Sequence, residues 1–79
     1  MIEHHALQDD FPNLAPVVEQ LVSNDPLFRE NNTQYLRLDD EIYKLEIANV
    51  PSTDEHFTQL KLQRAHLKDW LYQRAIAAQ

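Results

Sequence analysis

The side chains best equipped for chemistry in this chain are its histidines and its clustered carboxylates. His4 and His5 stand beside Glu3, with Asp9 and Asp10 a few positions on, a donor set that zinc or a harder divalent ion would accept. Adjacent side chains diverge, whereas a tetrahedral site needs donors that meet at one point, so this end reads as surface or docking. His56 and His66 lie about three helical turns apart, too far to share one ion. Asp39-Asp40-Glu41 is the densest acidic run. General acid and base catalysis needs carboxylates that converge in a desolvated pocket with unequal environments. Consecutive helical residues fan outward, so the run reads as solvated helix surface. No catalytic residue, metal ligand or cofactor-binding residue is assigned, and no cofactor is expected.

Composition narrows the classes further. The chain has 79 residues, no cysteine and no glycine, which removes disulfides, thiolate catalysis and glycine-rich phosphate loops. It is one small domain, too short for a large closed core. Thirteen acidic and seven basic side chains give a net charge of -6. Residues 1–24 carry Glu3, Asp9, Asp10 and Glu19 without a Lys or Arg, while Lys61, Arg64, Lys68 and Arg74 fall in 53–79. That balance argues against generic phosphate binding, which rests on accumulated positive charge. No apolar run approaches the roughly eighteen residues that suggest a membrane span. His4 and His5 occupy the place of a signal peptide's apolar region, and a cytoplasmic chain without membrane contact is expected.

The elements that position these groups follow from periodicity. Phe28, Asn31, Tyr35, Leu38, Ile42, Leu45 and Asn49 recur at alternating three- and four-residue spacing, the seam of a long helix facing another. This predicts a helix over 26–48, with Asp25 as its cap and Pro26 in its first turn; Val50 before Pro51 ends it. Arg37 with Glu41, and Asp40 with Lys44, are one turn apart on its outer side. A first helix over 13–22 is predicted from Leu14, Val17, Val18, Leu21 and Val22, and residues 1–10 are expected to be flexible. Ser52 and Glu55 have capping-box spacing at the start of a third helix over 53–77. Its stripe is Phe57, Leu60, Arg64, Leu67, Leu71, Ala75 and Ala78, widened by Leu62, Trp70, Tyr72 and Ile76.

The short connection at Pro51 predicts an all-α fold: a short N-terminal helix followed by a long antiparallel helical hairpin. Folding about Pro51 sets Leu45 against Phe57, Ile42 against Leu60, Leu38 against Arg64, Tyr35 against Leu67 and Asn31 against Leu71. Arg64 buries its stem at Leu38, with water or Asp39 taking its head group. The first helix folds back over the open end of the hairpin, near Phe28, Trp70 and Leu71.

The ordered fragments Asp25-Pro26-x-Phe28, Tyr35-x-x-Leu38-Asp39-x-x-Ile42, Glu46, and Leu60-Lys61-x-x-Arg64-x-x-Leu67-Lys68-Asp69 carry a resemblance. Between His5 and Leu71 the chain resembles the YdcH-like family of small bacterial helical proteins of unknown function. The resemblance implies a short leading helix and a long hairpin, and it implies no reaction, cofactor or catalytic residue. Where that family usually has a leucine followed by an apolar residue, this chain has Asn31 and Asn32.

The functional expectation is a non-enzymatic structural or protein–protein interaction module. Tyr43, Ile47, Trp70, Tyr72 and Ile76 form its candidate interaction surface. The expected partner is a second copy, as a homodimer, or another helical protein. The alternative is a small regulatory nucleic-acid-associated protein.

Overall fold

The computed structural model describes residues 6–48 and 54–79. In chain order these form α1 (Leu7–Asp10), a 3-10 turn (Pro12–Leu14), α2 (Ala15–Asn24), α3 (Pro26–Ala48) and α4 (Asp54–Ala77). The all-α hairpin with a leading helical segment is therefore present as predicted.

The first helix differs in its bounds from the expected 13–22. The chain makes a 3-10 turn at Pro12–Leu14 and only then enters α2, which runs to Asn24. Pro16 explains the late start: it lies within the first turn of α2, where its missing N–H leaves no helical acceptor unpaired. At the other end the Asp25 N–H still donates to the Leu21 carbonyl, 2.8 Å away. Asp25 itself is extended, at φ -115° and ψ 102°, because a residue before proline is barred from the helical region.

The Asp25 cap forms as expected. Its Oδ1 accepts from the N–H groups of Leu27 at 3.1 Å and Phe28 at 3.2 Å, satisfying two amides that begin α3. The predicted Ser52 cap and the Asn49 seam position lie outside the described residues.

α3 and α4 pack antiparallel, in a register marked by Arg64 against Asp39 and Lys61 against Glu46. The arm formed by α1, the 3-10 turn and α2 lies over the open end. Leu7, Leu14, Val18, Phe28, Tyr35, Leu71 and Ala75 make one buried cluster there, with Ile42 and Leu60 buried further toward the connection. Each fully enclosed Leu or Phe contributes roughly 1.5–3 kcal/mol of burial free energy.

Two expectations need correction. Of the segment 1–10, expected to be flexible, residues 1–5 lie outside the described residues, but Leu7–Asp10 form a helical turn and Leu7 is fully buried. Asp39, expected in a solvated acidic run, is buried. It sits four residues after Tyr35 and three before Ile42, so it shares their face. The buried face of α3 thus runs through Phe28, Tyr35, Asp39 and Ile42, with Asn31, Asn32, Leu38 and Leu45 half-buried at its flanks.

Candidate functional site

The five residues expected to form an interaction surface fall into separate places. Tyr72 and Ile76 lie near the open end and line a cleft of about 320 Å³ with Asp10, Phe11 and Leu14. The Tyr72 and Phe11 rings pack with centroids 4.6 Å apart and planes inclined by 49°. A second cleft of about 240 Å³, between Phe11, Ala65, Lys68 and Tyr72, lies beside the same ring pair. Trp70 is half-buried and faces the core, 6.2 Å from the Phe28 ring, with the Arg74 guanidinium 5.4 Å from its own ring.

Tyr43 and Ile47 are at the other end of the hairpin. From the α3–α4 register they stand on the order of 20 Å along the helix axis from Tyr72 and Ile76, at about 1.5 Å per residue. One continuous strip through all five does not form. Instead Ile47, 53 % exposed, joins half-buried Tyr43 and Leu36, which is 43 % exposed. Spacings of seven and four put these three on one face of α3. Leu36 was legible by that spacing, but its neighbours Tyr35 and Arg37 belong to other faces and obscured it. Leu62 is exposed on α4.

Charge gives the molecule its clearest pattern. Every basic side chain of α4 meets a carboxylate from an earlier part of the chain. Lys61 Nζ lies 3.9 Å from Glu46 Oε1, Arg64 Nη1 donates to Asp39 Oδ1 at 2.9 Å, and Arg74 Nη2 reaches Asp25 Oδ2 at 3.4 Å. Lys68 Nζ donates to Asp10 Oδ2 and lies 5.7 Å from the centre of the Phe11 ring. The acids thus come from α1, the α2–α3 corner and α3. Lys44 pairs with Asp40 at 2.9 Å on the exposed side of α3, as its spacing predicted, and such a pair contributes little.

These charges bear on two titrating groups. Burial of Tyr35 pushes its phenol up to about 12, and the negative charges of Asp39 and Asp10 act in the same direction against the opposing Arg64. Asp25 is held below the usual carboxylate range, first by the Phe28 N–H and then by Arg74, against a partial opposing effect of desolvation.

Among the described residues the remaining candidates do not come together as a metal site. His56 and His66 are both exposed along α4, and His4 and His5 lie outside the described residues. Among the described residues no group of three or more His, Cys, Asp or Glu could hold a metal ion, and no helix is long and apolar enough to cross a membrane.

A long hairpin stapled by ion pairs and covered at its open end by an N-terminal arm defines a small helical protein. The chain belongs to the family described as protein of unknown function (DUF465), whose model matches residues 28–75. The resemblance to small uncharacterised helical proteins seen in the sequence is thereby supported. No curated protein and no solved structure matches the chain.

Proposed function

We propose that the protein is a non-enzymatic protein–protein interaction module, acting in the cytoplasm, that pairs with a second copy of itself through the outer face of α3. The observation that carries this reading is a row on one face of α3 in which Leu36 and Ile47 are exposed and Tyr43 between them is half-buried. Apolar side chains aligned along one helix face are suited to a helical partner, and an identical chain supplies such a face. Pairing two narrow hairpins removes from water a row that one hairpin cannot cover alone.

Nucleic acid is the weaker alternative. Lys61, Arg64, Lys68 and Arg74 are each engaged by a carboxylate of the same chain, so a polyanion would have to displace four internal partners.

Sedimentation equilibrium from micromolar to near-millimolar concentration tests the reading. The wild-type chain is expected to approach twice its 9.3 kDa mass, and Ile47→Glu to weaken association by about tenfold or more. A constant mass of one chain across the series would overturn it.

A further inference from the structure

The α3 row has an acid in its middle. Leu36, Asp40, Tyr43 and Ile47 are spaced four, three and four residues apart, the repeat of a helix–helix seam, so Asp40 shares the phase of its apolar neighbours. Asp40 is half-buried and is held by Lys44, one turn on, whose Nζ lies 2.9 Å from its Oδ2.

The place of that carboxylate discriminates between the two ways in which a helix can pair with its own copy. In a parallel pair every seam residue meets its counterpart. Asp40 would face Asp40, two like charges withdrawn from water together, and Arg29, two turns before Leu36 in the same phase, would face Arg29. In an antiparallel pair about a two-fold axis between Asp40 and Tyr43, the layers are exchanged. Leu36 meets Ile47 of the second copy at either end, and each Asp40 has the Tyr43 ring of the second copy opposite it instead of a carboxylate. A two-fold axis that relates antiparallel helices keeps each flank on its own side, so Lys44 of each copy comes beside Asp40 of the other. The two Asp40–Lys44 pairs, each worth little within one chain, then join into a ring of four alternating charges. Register follows from the same residues. Sliding the copies by one helical turn either sets Asp40 against itself or carries Leu36 beyond Ile47 of the second copy.

We propose that the protein forms an antiparallel two-fold dimer, α3 against α3, in which Asp40 and Lys44 set the orientation and register of the second copy. This inference rests on the pairing proposed above and goes further, because the apolar side chains alone fit a parallel and an antiparallel copy equally well.

The chain has no cysteine, so introduced thiols report the arrangement. Leu36→Cys and Ile47→Cys are oxidised separately and as an equimolar mixture, the linked products are weighed by mass spectrometry, and wild-type association is followed by sedimentation. A disulfide needs Cα atoms within roughly 7 Å, whereas the two copies of position 36 stand about 16 Å apart along the axis of an antiparallel pair. The mixture should form the 36–47 linked species at least about tenfold faster than either variant links to itself. Faster self-linkage of Leu36→Cys overturns the antiparallel arrangement and leaves association standing. A wild-type dimer whose variants associate without linking overturns it as well. A wild-type chain that sediments as a monomer overturns the pairing itself, and this inference with it. A second measurement leaves the apolar residues in place. Lys44→Asp gathers four carboxylates at the axis and should weaken association by about tenfold, and adding Asp40→Lys restores alternating charges and should recover it. Equal dissociation constants for wild type and Lys44→Asp would overturn the charge ring, and with it the proposal.

Discussion

Arg64 Nη1 lies 2.9 Å from Asp39 Oδ1, tying the middle of α4 to the middle of α3. The Asp39 side chain is 3 % exposed and that of Arg64 23 %, so the carboxylate is the more deeply enclosed partner. An enclosed pair adds little net stability over apolar residues of similar volume, but removing one member strands the other.

Arg64→Met should therefore destabilise the fold by about 3 kcal/mol or more, because Asp39 is left without its guanidinium. Asp39→Leu should cost less, since the long arginine can turn its head group to water. The double variant should recover most of the larger loss. Urea unfolding of all four chains closes the cycle; a loss below about 1 kcal/mol in Arg64→Met would show that Asp39 does not depend on this pair.

The two asparagines of α3 should respond differently to leucine. Asn31 falls in the seam phase of Phe28 and Tyr35, where an unpaired amide would be costly, but its Nδ2 donates to the Leu27 carbonyl at 3.0 Å. Asn32 Oδ1 is instead enclosed with no hydrogen-bond partner among the described residues. Asn32→Leu should stabilise by roughly 0.5 to 2 kcal/mol, removing an unpaired acceptor and improving helix propensity, and Asn31→Leu should gain less. Paired denaturation curves decide the order of the two.

Tyr35 should make the fold sensitive to alkali. Its folded pKa, about 12, lies above the ordinary phenol value of 10.0, so the folded state holds this proton more tightly than the unfolded chain does. The resulting stability is fully present below pH 10.0 and is lost as pH rises toward about 12. Tyrosinate absorbance followed alongside circular dichroism should place Tyr35 ionisation together with unfolding. Tyr35→Phe should flatten that alkaline decline; an unchanged slope would assign it to other groups.

Asp25 has the opposite sign. Its folded pKa lies below 3.8, so its charge contributes stability above that value and loses it as pH falls through the lower, folded pKa. Asp25→Asn retains an acceptor for the Leu27 and Phe28 amides and should flatten the acid dependence while keeping much of the cap. Asp25→Ala should lower the melting temperature at neutral pH as well, since both cap bonds are lost. Thermal melts between acid and neutral pH separate the two effects.

What could be read from the sequence is what local rules determine. Asp25-Pro26 specifies a cap and a first turn wherever it occurs, and Phe28, Tyr35 and Ile42 keep their phase whatever lies opposite. Leu7 could be read only as able to dock, because one leucine in a short irregular segment has no period; its full burial depends on the arm folding back across the open end. Asp39 was hidden by composition, since two acidic neighbours made the run look solvated although its spacing from Tyr35 and Ile42 pointed inward. Tyr43 and Ile47 could be placed on helices, but their distance from Tyr72 and Ile76 becomes plain only when the antiparallel register is drawn out. The covering of Phe28, Trp70 and Leu71 by the first helix was legible, because a hairpin alone leaves those side chains bare at its open end.

The fold measures 41 × 22 × 16 Å along its principal axes. A single chain of that shape tumbles anisotropically, spinning about the hairpin axis faster than it turns end over end. Amide bonds in α3 and α4 point nearly along the slow-reorienting axis, so their nuclear spin relaxation should differ from that of amides at the α2–α3 corner. Side-by-side pairing along α3 would thicken the particle more than lengthen it and shrink that difference.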